Sequence, residues 1–293
     1  MACCYLLERD GELAFIEAGT APGVPRLLAL LEALGLAAER VRYVIVTHVH
    51  LDHAGGAGTL MAALPRARLI VHKRGARHLI DPSKLIAGAT AVYGAAFVAE
   101  TYGQILPVAA DRVHSPADGE SLPFGAGSLT FVDTPGHARH HFSIYDPLSR
   151  GFFTGDTFGL GYPEFIDVEK GPWLWPTSTP VQFDPEAWFA TLDRYQSFTP
   201  LRMFLTHYGM VEEVAGLSEE LRAGIGRFVQ IAEAAKGQQA LHETLKAALF
   251  ADARQSLQRH MPGFDDAALQ RLMGVDIELN AQGLAVWLAQ RQA

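Results

Sequence analysis

Thr47-His48-Val49-His50-Leu51-Asp52-His53-Ala54-Gly55-Gly56 is the stretch on which the reading of the chain turns. It directly follows Val41-Arg42-Tyr43-Val44-Ile45-Val46, a β-branched apolar run that predicts a buried strand. Histidine is 12 of 293 residues, so this fixed pattern of three histidines and an aspartate arises by chance in on the order of one such chain in a thousand. Neutral imidazoles and a carboxylate are the donors that zinc and similar borderline ions prefer. His48 and His50, two positions apart, can face one ion, while Asp52 and His53 can face a second. Gly55 and Gly56 let the backbone turn tightly into a following helix.

Working outward, Cys3–Leu7 and Leu13–Glu17 flank Asp10-Gly11 and predict a hairpin. Pro25–Leu34 predicts a helix closed by Gly35, Gly55–Leu64 another, and Arg68–His72 a short strand. Ser83–Gln104 is apolar and alanine-rich and reads as a single helix, packed rather than a free lid, with Tyr93, Phe97 and Tyr102 along it. Leu129–Asp133, His141–Tyr145, Gly151–Thr154 and Met203–Thr206 are strand candidates. Asp184-Pro185-Glu186 is a helix start, with Asp184 as its cap. Beyond about residue 214 only helical periodicity remains, so we divide the chain into a mixed α/β region, 1–213, and a helical region, 214–293.

Composition sets further limits. Hydrophobic residues are 49% and charged residues 19%, as in a folded globular protein. The formal charge of −8 argues against a nucleic-acid partner, because neutralising phosphates needs a basic surface. No run of about 18 apolar residues predicts a membrane span, and the N-terminal residues lack the pattern of a signal peptide. Cys3 and Cys4 are adjacent, a spacing that seldom bridges, and two thiols on a strand suit the reducing cytoplasm. The expected partner is a small-molecule substrate, with neither nucleic acid nor membrane. The helical region serves either to cover a pocket or to build a homodimer, and the sequence leaves both open.

With its H-x-H-x-D-H run, the sequence resembles the metallo-β-lactamase superfamily, and among its members the glyoxalase II-like hydrolases with two metals. His137 in Asp133-Thr134-Pro135-Gly136-His137, Asp156 in Phe153-Thr154-Gly155-Asp156-Thr157 and His207 in Leu205-Thr206-His207-Tyr208-Gly209 match the family's later ligands, each after a strand-like run. The resemblance implies a four-layer αβ/βα sandwich with a C-terminal helical appendage. It implies two divalent metal ions per chain, zinc foremost, with iron or manganese as alternatives. One ion takes His48, His50 and His137, the other Asp52, His53 and His207, and Asp156 bridges them.

The implied reaction is hydrolysis of an ester or thioester by a metal-bound hydroxide, with Asp52 as proton shuttle and Tyr208 as a candidate oxyanion donor. An acyl-homoserine-lactone type of lactonase is the alternative. A persulfide dioxygenase with a single iron fits less well, because the second ligand set is complete. His141 matches the second histidine of T-P-G-H-x-x-x-H, whereas His140 has no match and reads as a surface residue. Trp173 and Trp175, among prolines, suggest either an apolar wall at the site mouth or a loop pinned onto the body or used as a subunit contact.

Overall fold

The computed structural model describes residues 2–178 and 181–291. The outermost ends of the two expected regions, Met1 and Ala293, lie outside the described residues. The chain forms two compact units, one of Met1–Asp133 with His140–Gly155, the other of Thr134–Arg139 with Asp156–Ala293.

The first unit holds strands β1 (Tyr5–Arg9), β2 (Glu12–Ile16), β3 (Val41–Val46), β4 (Arg68–Val71), β5 (Val113–His114), β6 (Ser121–Phe124), β7 (Gly127–Asp133), β8 (Phe142–Asp146) and β9 (Gly151–Gly155). Its helices are α1 (Val24–Ala33), α2 (Leu51–Ala54), α3 (Ala57–Ala63), α4 (Lys73–Ile80), α5 (Ser83–Tyr93) and α6 (Ala95–Tyr102). β1 and β2 are the predicted hairpin, and β2, β3, β4 and β5 then run parallel. β6 to β9 form an antiparallel meander.

The apolar run of β3 is buried on both faces, as a strand inside a layered α/β core must be. Val44 and Val46 pack with Leu31, Leu60, Met61 and Leu79 of the helices. On the other face the Tyr43 hydroxyl donates to the Pro123 carbonyl of β6 at 3.1 Å. Tyr5 and Phe153 meet edge to face at 5.2 Å, and Arg9 pairs with Asp146 at 2.8 Å, closing the two sheets on each other. In register, Val46 pairs with Val71. The segments after β3 and β4 therefore leave the sheet at one edge, which is where the histidine run begins.

The second unit contributes β10 (Leu160–Asp167), β11 (Gly171–Trp175), β12 (Arg202–Leu205) and β13 (Met210–Val211), with α7 (Pro185–Ser197), α8 (Val214–Ala235), α9 (Leu241–His260) and α10 (Asp266–Gln290). From Val214 on, every element among the described residues is a helix. Asp184 caps α7 as expected, accepting from the Ala187 amide at 3.1 Å.

Two expectations are corrected. The single packed helix over 83–104 is two helices broken at Gly94, whose φ of 84° a chiral residue rarely adopts. It packs only in part: α5 fully buries no residue and α6 only Val98, with Leu85 half-buried against the core. Trp173 and Trp175 do not wall a mouth. They lie on β11 and are buried at 3% and 0% exposure, with Trp175 edge-on to Phe228 of α8 and Trp173 donating to Ser256 of α9. The pinned reading is the one the structure has. Buried Asn280 of α10 extends the pinning, accepting from the Ser178 amide at 2.6 Å and donating to the Pro176 carbonyl.

Candidate metal centre

The histidine run leaves β3 at Thr47, which is fully buried, and passes through the short helix α2. Glu17, just past the end of β2, organises it from below. Its carboxylate is fully buried and accepts from the Thr47 hydroxyl at 2.5 Å, from the Thr47 amide at 3.3 Å and from His53 Nδ1 at 3.1 Å. The Thr47 hydroxyl gives its proton to Glu17, so it accepts from His48 Nδ1 at 3.1 Å. One carboxylate thus favours the Nδ1-protonated tautomer of both His48 and His53, in which Nε2 carries a lone pair of the kind a metal needs. Sequence reasoning missed Glu17. A lone acidic residue after a strand carries no spacing signal, and only the parallel β2–β3 pairing brings it under the loop.

The donor atoms converge. His48 Nε2 lies 2.8 Å from His50 Nδ1, and His53 Nε2 lies 3.4 Å from Asp52 Oδ2. Two ligand atoms at ~2.05 Å from one cation lie about 2.9 Å apart at a right angle and about 3.3 Å apart at a tetrahedral angle. Both separations match, so the chemistry and spacing of this donor set fit a divalent ion.

His141 and His140 border the same loop. The His141 ring stacks on His48 at 4.9 Å and is buried. His140, expected at the surface, is also buried, with its ring 5.5 Å from His50 and 6.1 Å from His48. His140 and His141 stand just before β8, and the Phe142 amide is tied to the Thr47 carbonyl at 3.0 Å. Gly155 is dictated by this crowding. Its φ is 53°, and a Cβ there would lie 2.4 Å from His141 Nε2 and 2.5 Å from Thr47 Oγ1.

In the second unit, His137, Asp156 and His207 form a group of their own. His137 Nδ1 donates to the Thr177 carbonyl at 2.9 Å, which turns Nε2 towards Asp156 Oδ2 at 3.4 Å. His207 Nε2 lies 3.5 Å from the other oxygen, Oδ1. One buried carboxylate therefore presents one oxygen to each histidine, at the separation of co-ligands rather than of hydrogen bonds. The loops are held from behind. Gly161 N donates to the His207 carbonyl at 2.9 Å, and Trp188 Nε1 donates to the Thr157 carbonyl at 2.7 Å.

Tyr208 follows His207 with a φ of 147°, and its ring lies against Gly161, where a Cβ would come within 2.8 Å of it. Burial raises the Tyr208 hydroxyl above its ordinary pKa, which keeps it a proton donor. The Tyr162 hydroxyl bonds to Asp276 of α10. Burial raises the Asp276 carboxyl above the usual range, against the opposing pull of the Tyr162 hydrogen bond and His207. Asp276 too was invisible in the sequence, because nothing in a helical stretch marks it as close to His207, 69 positions earlier.

A sequence model of the metallo-β-lactamase superfamily matches residues 2–207, and the chain belongs to that superfamily, whose members are generally metal-dependent hydrolases. Curated relatives include the metallo-β-lactamase fold protein ST1585 of Sulfurisphaera tokodaii, 27% identical over 59% of this chain and 62% of that protein. A hydroxyacylglutathione hydrolase of Methylococcus capsulatus is 30% identical over 54% of this chain and 48% of its own length. The N-acyl homoserine lactonase AttM of Azorhizobium caulinodans is 28% identical over 40% of each chain. The chain thus spans less than two thirds of the length of each of these relatives.

The solved structure of ST1585 superposes with a TM-score of 0.65 at 21% identity, covering 97% of this chain and 92% of that one. The fold is the mixed α/β metallo-β-lactamase fold with added C-terminal helices, and its histidine and aspartate groups are of the kind that hold divalent metals.

Proposed function

We propose that this chain is a dinuclear metal-dependent hydrolase of esters or thioesters. His48, His50 and His137 hold one ion, Asp52, His53 and His207 hold the other, and Asp156 is shared. The observation that carries the reading is the Asp156 carboxylate, with one oxygen facing His137 and the other facing His207. A carboxylate paired for a structural role makes short hydrogen bonds, whereas these separations suit shared cations.

A bound pair of divalent ions supplies Lewis acidity and brings the pKa of a water towards neutrality. The chain supplies the rest. Asp52, with its side chain 40% exposed, is open enough to take a proton from the attacking water and pass it to the leaving group. Tyr208 donates its hydroxyl to the developing oxyanion. Glu17 holds His48 and His53 in the tautomers that leave Nε2 available.

Similarity to a hydroxyacylglutathione hydrolase supports the thioester reading, and similarity to AttM supports lactone hydrolysis as the second. Zinc is the proposed ion. We assign the protein to the cytoplasm, on the two free thiols Cys3 and Cys4.

The test is metal analysis combined with a panel of thioesters, aryl esters and acyl-homoserine lactones. Two ions per chain are expected, and Asp156→Ala is expected to lose at least one of them along with all turnover. A variant that keeps both ions and full activity refutes the shared-ligand assignment. Tyr208→Phe is expected to lower kcat about 100-fold with little change in metal content.

A further inference from the structure

The fully buried residues of α10 are apolar from Leu269 to Leu288, with one exception. That exception is Asn280, which is 1% exposed. An amide buried among aliphatic groups is unfavourable unless its hydrogen bonds are made, and here both ends of it hold one segment. Oδ1 accepts from the Ser178 amide at 2.6 Å and from the Ser178 hydroxyl at 3.0 Å, and Nδ2 donates to the Pro176 carbonyl at 3.2 Å. Pro176 and Ser178 flank Thr177, whose carbonyl accepts from His137 Nδ1 at 2.9 Å. Asp276, one turn earlier on α10, bonds to the Tyr162 hydroxyl, and neighbouring Gly161 donates to the His207 carbonyl at 2.9 Å. Positions 276 and 280 share a helix face, so one face of α10 borders the segments behind both histidines that flank Asp156. Helix α10 lies wholly beyond residue 207, where the superfamily match ends.

We propose that Asn280 is a positioning residue for His137, acting through the peptide group between Thr177 and Ser178. The proposal rests on the dinuclear reading above, in which His137 is a ligand, and gives the C-terminal helices a task in that site. The Thr177 carbonyl and the Ser178 N–H are the two ends of one planar peptide unit. In a trans peptide they point in opposite directions, so Asn280 grips one edge of the plane and His137 meets the other. Rotating that plane takes the carbonyl out of line with the imidazole. A carbonyl oxygen can only accept, so while the plane is held His137 carries its proton on Nδ1 and keeps a lone pair on Nε2, the atom that faces Asp156. A leucine at position 280 would continue the apolar face of α10 just as well. The asparagine adds control of one imidazole by a helix that does not touch it through any printed bond of its own.

The experiment uses the full-length protein, first free of metal. In the wild type, nitrogen-15 shifts should place the His137 proton on Nδ1, and the Ser178 amide should exchange with solvent as slowly as the buried amides of α10. These two measurements need no substitution. A freely exchanging Ser178 amide, or a His137 proton on Nε2, overturns the proposal even if no variant folds. Asn280→Leu keeps the volume and makes none of the three bonds. It is expected to move the His137 population towards the Nε2 proton and to weaken zinc binding about tenfold in competition with a chelator, the lower end of what the outer partners of ligating histidines contribute. Leu269→Ala, at a buried position about three turns earlier on the same helix, is the control. It is expected to lower the urea midpoint and to leave the His137 tautomer and zinc affinity as in the wild type.

If the wild-type protein binds no divalent ion but Asn280→Leu still shifts the His137 tautomer, the dinuclear reading falls and the positioning role stands. If the wild type binds two ions and Asn280→Leu binds them as tightly, with its tautomer unchanged, the positioning role falls and the dinuclear reading stands. Equal losses of zinc affinity in Asn280→Leu and Leu269→Ala assign the effect to the docking of α10 as a whole and overturn the proposal.

Discussion

Glu17→Gln is the substitution that most directly tests how the protein prepares its proposed metal ligands. The change keeps volume and shape, so the fully buried position is neither emptied nor overpacked. Glu17 has a φ of 67°, and glutamine carries the same backbone strain as glutamate there. What changes is hydrogen-bond polarity. The carboxylate accepts at all three contacts, from the Thr47 amide, the Thr47 hydroxyl and His53 Nδ1. The amide can accept with only one of its two heteroatoms. Oε1 serves both the Thr47 hydroxyl and His53 Nδ1, and Oε2 serves the Thr47 amide. With its oxygen in the Oε1 place, the glutamine sets its NH2 group against the Thr47 amide, donor against donor. The flipped amide avoids that clash: its oxygen accepts from the Thr47 amide, and its NH2 group donates to the Thr47 hydroxyl and to His53 Nδ1. The His53 proton then moves to Nε2, and the Thr47 hydroxyl turns to donate to His48 Nδ1, so both Nε2 lone pairs are withdrawn from ligation.

Removing the partner that orients a ligating histidine costs about 10- to 100-fold in metal affinity. That is about 1.4–2.7 kcal/mol. Competition with a chromophoric zinc chelator reads this directly, and nitrogen-15 chemical shifts of the metal-free protein report which tautomer His53 adopts. In the wild type Nδ1 should carry the proton, and in the variant the population should move to Nε2. Unchanged affinity for both ions, or an unchanged tautomer alongside weakened binding, refutes the argument.

Three further outcomes follow from the same coordinates. Gly155→Ala places a methyl group against His141 and Thr47 at a φ of 53°, and urea unfolding should show a loss of about 2–4 kcal/mol. Burial, then the nearby Glu17 charge, pushes the Cys4 thiol up to about 12, so mass mapping after iodoacetamide at pH 8 should find Cys4 unmodified in the native protein and alkylated in urea. The Glu278 carboxylate is held down at about 2, chiefly by the Lys246 hydrogen bond across α9 and α10. Because its folded pKa is depressed, its stabilisation is full above the ordinary value of 4.5 and disappears as pH falls towards 2. The Tm advantage of the wild type over Glu278→Gln should shrink across that window, and an advantage that does not vary with pH assigns the effect to packing instead.

Legibility in the sequence followed the range of the physical signal. β3 and the histidine run were readable because a buried strand and a metal loop each concentrate their chemistry in consecutive residues. The strand bounds at Val41–Val46 coincide with the apolar run. The cap of α7 was readable for the same reason, since Asp184 and Ala187 are three positions apart. Helix α4 was not. Its start is capped by His72, which accepts from the Arg74 amide at 3.2 Å and is not among the usual capping residues. Trp173 and Trp175 were misleading because prolines on either side imitate a loop, while their burial depends on α8 and α9, more than 50 residues later. Glu17 was invisible because its partners lie 30 and 36 positions away.

The strained residues point the same way. Six described non-glycine residues have a positive φ, and two of them, Glu17 and Tyr208, adjoin proposed ligands. At ordinary turns such a conformation selects glycine, because a Cβ there costs about 1–2 kcal/mol. Glycine at 17 would relieve the strain but remove the carboxylate that sets two imidazole tautomers. Glycine at 208 would likewise remove the hydroxyl next to His207. At both positions the fold tolerates an unfavourable backbone to keep a side chain, which is how strain accumulates at working sites. Glu17→Gly, unlike Glu17→Gln, should therefore separate the two effects. Its metal affinity should fall at least as far as that of the glutamine variant, while the relief of backbone strain offsets part of the stability lost with the buried hydrogen bonds. A glycine variant that binds both ions normally would mean that Glu17 is retained for folding alone.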